Sequence, residues 1–170
     1  MTGEFTMKAL ILGATGNLGS NITAALSDHG HEVTCIVRPH SNRESIPAHE
    51  NIKFIMNDLD QIEQELSTES YDWVINSACV YRENTSLWQD MIDANLVFPL
   101  KVLNLAAKHD VRNFMTMGTC LPDNMNMYSF TKSQLAKFGR YISESEKRIN
   151  FVELKLEMFY GKYLMGGKIT

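Results

Sequence analysis

Tyr128 and Lys132 stand four residues apart in the stretch YSFTK. On a helix that spacing puts both side chains on one face, a turn apart. A free phenol titrates near ~10, too high for easy proton exchange at neutral pH. An ammonium beside it favours the phenolate and lowers that value. The pair is therefore a candidate proton donor with its tuner. Far upstream, in KALILGATGNLGSNITAALSDHG (residues 8–30), Gly13, Gly16 and Gly19 recur every third residue. Glycines at such a turn let the backbone come close to a pyrophosphate, and the helix that follows offers its positive end to the phosphates. The two features together point to proton and hydride chemistry on a bound dinucleotide.

Elements of fixed order must carry these residues. Ala9 to Leu12 is a short apolar run followed by a turn, which suits a strand buried on both faces of a parallel sheet. The period then becomes helical, with Leu18, Ile22, Ala25 and Leu26 expected on one face and Gly30 as the helix C′ residue. Residues 32–37 (EVTCIV) and 52–56 (IKFIM) read as the second and third strands. Asp58 is placed to cap a helix over about 60–69. Residues 72–80 (DWVINSACV) read as the fourth strand. Met91, Ile92, Leu96, Leu103 and Ala106 mark a long helix over 87–109, which Pro99 should kink. Residues 111–117 read as the fifth strand, ending in Gly118-Thr119, and 151–160 as the sixth with the turn after it. Repeated βα units specify a doubly wound parallel sheet with right-handed crossovers.

Composition narrows the class. A chain of 170 residues is most simply one domain with a sizeable core. The net charge is −4 and no Lys/Arg block occurs, which argues against nucleic acid or an anionic membrane as partner. No apolar run is long enough to span a membrane, and the N-terminus lacks the basic flank and apolar core of a signal peptide. Cys35, Cys79 and Cys120 are odd in number, far apart and outside any CxxC pair. They read as buried, reduced thiols of a cytoplasmic protein, and no metal site is expected. Residues 1–7 read as a leader.

The GxxGxxG spacing, with Tyr128 and Lys132 after the fifth strand, resembles the extended, sugar-nucleotide branch of the short-chain dehydrogenase/reductases, the NAD-dependent epimerase/dehydratase family. MGTCLPDNMNMYSFTKSQLAKFGRY, followed by INFVELKLEMFYG, is similar more narrowly to nucleotide-sugar 4-ketoreductases of the CDP-abequose and CDP-paratose synthase type. The family's 4,6-dehydratases carry Asp-Glu after the threonine, where this chain has Cys120-Leu121, which counts against sugar dehydration. The resemblance implies a Rossmann-like α/β sheet of about six strands in the order 3-2-1-4-5-6. It implies NAD(P)-dependent reduction of a 4-keto group on a nucleotide-linked deoxy sugar, with epimerisation or a non-catalytic dinucleotide-binding module as the alternatives.

Residue by residue, the resemblance assigns Gly13, Thr15, Gly16, Asn17, Leu18 and Gly19 to the phosphate turn, Asp58 and Leu59 to the adenine, and Ser77 and Ala78 to a small-residue turn under the cofactor. Lys132 would hold the nicotinamide ribose, Tyr128 would protonate the carbonyl oxygen, and Thr119, in place of the usual serine, would hold that oxygen. Asn95 matches a helix asparagine that supports a water-mediated proton path, its plainer reading being a polar residue on a half-exposed helix. In NAD-binding folds an acid past the second strand holds the ribose hydroxyls. Here Arg38 takes that place, with Arg43 nearby, which points to the 2′-phosphate of NADP rather than to NAD. The cofactor domain is expected over 8–161, followed by a short tail, 162–170. Family members continue into a C-terminal lobe that is mostly missing here, so a truncated product or an open substrate pocket is expected. Relatives dimerise through the helices matching 87–108 and 128–145, whose Trp88, Leu105, Phe130, Phe138 and Tyr141 are apolar beyond what a sheet contact uses, so a homodimer is expected.

Overall fold

β1 (Lys8–Leu12) divides its side chains between two cores, as a strand buried on both faces must. Leu10 and Leu12 enter one cluster, Ala9 and Ile11 the other. The protein is described here from a computed structural model covering residues 6–81 and 87–157. Residues 1–5, Gly161 and the tail 162–170 lie outside the described residues. Met7, read as leader, already joins the sheet, where its carbonyl accepts from the Glu32 N–H at 2.9 Å.

Five further strands follow: β2 (Glu32–Val37), β3 (Ile52–Met56), β4 (Trp73–Asn76), β5 (Asn113–Thr119) and β6 (Asn150–Leu156). All pairings are parallel and the order is β3-β2-β1-β4-β5-β6. This is the expected Rossmann-like sheet. The order reverses between β1 and β4, which opens a crevice at the carboxyl ends of those strands.

Helix α1 (Asn17–Asp28) packs on one face of the sheet, and α2 (Leu59–Thr68), α4 (Phe98–Lys108) and α5 (Met127–Glu146) on the other. Gly30 adopts φ 77°, and the N–H groups of Gly30 and His31 return to the carbonyls of Ser27 and Leu26, a Schellman C-cap as expected. The face of α1 differs from the sequence expectation. Its buried residues are Gly19, Ser20, Thr23, Ala24 and Ser27, while Leu18, Ile22 and Leu26 pack only in part and Ala25 is exposed. The helix lies so close to the sheet that only small residues fit beneath it.

Two other expectations change. β4 ends at Asn76, so residues 77–80 form a loop beyond the strand. The single helix over 87–109 is α3 (Trp88–Ile92), a π-helical turn (Asp93–Val97) and α4. Pro99 stands in the first turn of α4, just past the wider π turn. That turn relaxes the ladder where proline lacks a donor, and the backbone stays helical through it. Of the cysteines only Cys35 is buried; Cys79 is half-buried and Cys120 exposed. Burial pushes the Cys35 thiol up to about 11, and its hydrogen bond with Thr23 opposes this.

Candidate functional site

The glycine turn is defined by what a side chain would strike. Gly13 has φ +76°, and a Cβ there would lie 2.6 Å from the Ala78 nitrogen. A Cβ on Gly19 would lie 2.1 Å from the Gly13 carbonyl oxygen. Gly16, the N-cap of α1, is exposed and has no side-chain cap, and the first turn carries no acid. The opening N–H groups of α1 thus face the crevice without a competing side chain, as a phosphate site requires. Ser77 and Ala78 line the opposite wall. The Ser77 N–H and hydroxyl both donate to the Leu12 carbonyl, at 3.0 and 2.8 Å. Small side chains at 77 and 78 are required by this packing as much as by any ligand. Thr15 and Leu18 are half-buried at the same turn. These residues fit a dinucleotide pyrophosphate.

At the far end of the crevice Arg38 is exposed just past β2. Arg43, by contrast, stacks 4.8 Å over the Phe54 ring. Asp58 caps α2 as expected, its carboxylate accepting from the Gln61 N–H at 3.0 Å, and Leu59 packs against the core.

The proton-transfer side is built from α5. Asn126 caps it in a capping box: its side chain accepts from the Ser129 N–H at 2.8 Å, and the Ser129 hydroxyl accepts from the Asn126 N–H at 3.2 Å. This fixes where the helix begins and puts Tyr128 in its first turn, with Lys132 one turn further on. Lys132 is only 3% exposed, and its ammonium donates to the Ala78 carbonyl at 3.3 Å. Burial pulls its pKa down, and the nearby Cys79 sulfur opposes this. One hydrogen bond therefore ties the Tyr128–Lys132 helix to the loop that walls the glycine turn.

Tyr128 departs from the expected tuning. Burial raises its pKa above the ordinary phenol value, a hydroxyl interaction with Tyr81 draws it back, and Cys79 raises it again. Lys132, turned to the Ala78 carbonyl, is not among the groups that set it. Thr119 ends β5, and its Oγ1 accepts from the Leu121 N–H at 3.2 Å, which leaves its own proton free to donate.

Asn95 is fully buried, unlike the half-exposed polar residue of its plainer reading. It lies in the π turn, and its amide clasps Val80 twice: Oδ1 accepts from the Val80 N–H at 2.7 Å and Nδ2 donates to the Val80 carbonyl at 2.9 Å. Nδ2 also reaches Thr131 Oγ1 at 3.4 Å.

Sequence reasoning missed Tyr81, whose ring stacks on Tyr128 with centroids 4.6 Å apart and planes inclined 27°. Reading 72–80 as continuous strand hid the loop that delivers it. The signal was present in Asn76-Ser77, polar and small residues that end an apolar run. The Asn126 cap was missed too, though Asn126 and Ser129 have capping-box spacing.

A doubly wound parallel sheet, a glycine turn at its crossover and a tyrosine–lysine pair at the same edge define a dinucleotide-binding α/β protein. The chain belongs to the NAD dependent epimerase/dehydratase family, which matches residues 9–170. It is 29% identical over 160 residues to CDP-abequose synthase of Salmonella typhimurium, covering 89% of this chain and 53% of that protein. It is 32% identical over 121 residues to UDP-glucose 4-epimerase of Corynebacterium glutamicum, covering 66% of this chain and 35% of that one. The solved structure of the Bordetella bronchiseptica enzyme WbmH in complex with NAD+ superposes with a TM-score of 0.81 at 22% identity, over 96% of this chain and 60% of that one. The chain thus spans about half the length of the relatives it matches. Among the described residues no helix is long and apolar enough to cross a membrane.

Proposed function

We propose that residues 8–161, between the leader 1–7 and the tail 162–170, form the cofactor half of an NAD(P)-dependent oxidoreductase that reduces the 4-keto group of a nucleotide-linked deoxy sugar. The observation that carries this is Lys132 bonded to the Ala78 carbonyl, which joins the tyrosine–lysine helix to the loop behind the glycine turn. A dinucleotide held at this site would supply hydride for the carbonyl carbon. Tyr128 gives its phenolic proton to the carbonyl oxygen, and Thr119 donates to the same oxygen. Lys132, buried behind the glycine turn, would hold the ribose hydroxyls. Gly13, Thr15, Gly16, Asn17, Leu18 and Gly19 would hold the phosphates, and Asp58 and Leu59 the adenine. Asn95 serves by holding the 77–81 loop.

Arg38, exposed at the end of β2 with no acid beside it in sequence, favours NADP over NAD. Trp88, Phe130, Phe138 and Tyr141 are exposed along α3 and α5, which supports a homodimer, while Leu105 is spent on the core. Three free cysteines and the absence of a basic block support a cytoplasmic enzyme without nucleic-acid or membrane partners. The likeness to a UDP-glucose 4-epimerase supports a second reading, nucleotide-sugar epimerisation.

The test is NADPH oxidation with CDP-4-keto-6-deoxyglucose, by the chain alone and fused to the remaining half of CDP-abequose synthase. Weak turnover alone, strong turnover in the fusion and a loss of about 10²–10⁴-fold in Tyr128→Phe are expected. Interconversion of UDP-glucose and UDP-galactose, with no net NADPH oxidation, would instead establish the epimerase.

A further inference from the structure

The loop after β4 does more than wall the glycine turn. Its last described residue, Tyr81, lays its ring on Tyr128 although it is itself 39% exposed. Nothing in the packing of the core demands that contact. The loop is held in place from the other side, where the buried Asn95 fixes both polar atoms of the Val80 backbone. Asn95 in turn lies in a π turn, a geometry costly enough to be uncommon outside functional sites. A buried amide, a wide helical turn and a loop thus combine to aim one aromatic side chain at the proposed proton donor.

We propose that Tyr81 is a positioning residue for Tyr128: its ring seats the Tyr128 ring, and its hydroxyl steadies the phenolate that proton donation leaves behind. In the step, the Tyr128 O–H bond breaks and its proton goes to the carbonyl oxygen, while hydride reaches the carbonyl carbon. The electron pair of the broken bond stays on the Tyr128 oxygen, and Tyr81 keeps its own proton and donates a hydrogen bond to that oxygen. Burial, then the nearby Cys79 sulfur and the contact with Tyr128 itself, keep Tyr81 protonated well beyond the ordinary phenol range, as a donor must be. The ring contact leaves the edge of Tyr128 open to substrate, because stacking uses the ring face. Among the described residues, Tyr81 and Cys79 are the titratable groups that act on Tyr128.

The inference rests on reading Tyr128 as the acid, so its test is read without cofactor or substrate. Fluorotyrosine is incorporated throughout, which also lowers every phenol titration into a range the fold withstands. Fluorine NMR then follows each tyrosine against pH, with Tyr128 assigned by the line lost in Tyr128→Phe. In Tyr81→Phe, which keeps the stack, the Tyr128 midpoint should rise by about one unit or more, the loss of a hydrogen bond to a charged oxygen. In Tyr81→Leu the Tyr128 line should also broaden as its ring regains freedom. A Tyr128 midpoint unmoved in Tyr81→Phe would overturn the proposal while leaving the substrate reading intact. A wrong substrate class would leave the shift in place.

Discussion

The two walls of the crevice are held by different forces. On the β1–α1 side the constraint is steric. A Cβ on Gly19 would meet the Gly13 carbonyl nearby in the chain, and a Cβ on Gly13 would meet the Ala78 backbone across the crevice. On the α5 side the constraint is polar and long-range. Lys132 reaches Ala78, Asn95 clasps Val80, and Tyr81 lies over Tyr128, all between segments distant in sequence. A steric wall adds to the stability of the fold by packing, whereas a buried ammonium subtracts from it. The difference suggests which wall was shaped for folding together with binding, and which for chemistry.

The largest expected effect breaks the steric wall. Gly13→Ala asks for a left-handed φ and an overlap with the Ala78 backbone at 2.6 Å. It should cost about 3 kcal/mol, read as a lower urea midpoint. A cost below about 1 kcal/mol would mean that the turn gives way, and that the two walls are less different than described.

Next is Arg38→Ala, which should leave stability unchanged and remove about tenfold of the preference for NADPH over NADH, the worth of one charge-assisted contact. Equal affinities in the unaltered chain would sink the Arg38 assignment.

The smallest effect has the opposite sign. Lys132→Met should stabilise the fold by roughly 1–2 kcal/mol at neutral pH, because an apolar chain of similar length replaces a desolvated charge. The sign follows from linkage. Burial lowers the Lys132 pKa below its ordinary 10.5, so between the two values the unfolded chain binds the proton more tightly. The advantage of the methionine variant should be full and constant below the folded pKa and shrink as pH rises from there towards 10.5. Denaturant midpoints for both proteins across that range measure it. A variant less stable than the parent at neutral pH would show that the Lys132–Ala78 bond outweighs the burial.

The same contrast explains what the sequence revealed. β1, β2, β3 and the Asp58 cap were legible because each rests on neighbours along the chain, and the glycine turn because its spacing and its flanking strand and helix are local even though Gly13 also packs on Ala78. The strand order came from resemblance, since nothing local says that β4 lies beside β1. The buried face of α1 was misread because leucines were weighed above the glycine, serines and threonine that close approach to the sheet demands. Asn95 and Tyr81 were illegible in their roles, because the contacts that give them meaning cross 15 and 47 residues. Tyr128 and Lys132 were found by spacing, yet their tuning was misjudged. Spacing alone shows neither the burial of the phenol nor the carbonyl that takes the ammonium.

The central claim is that both walls serve one dinucleotide. Calorimetric titration of the chain with NADPH and then NADH tests it most directly. The account predicts saturable one-to-one binding of both, tighter for NADPH, weakened in Lys132→Met and lost in a folded Gly13→Ala variant. No binding of either cofactor, or binding by Gly13→Ala as tight as by the unaltered chain, would contradict it.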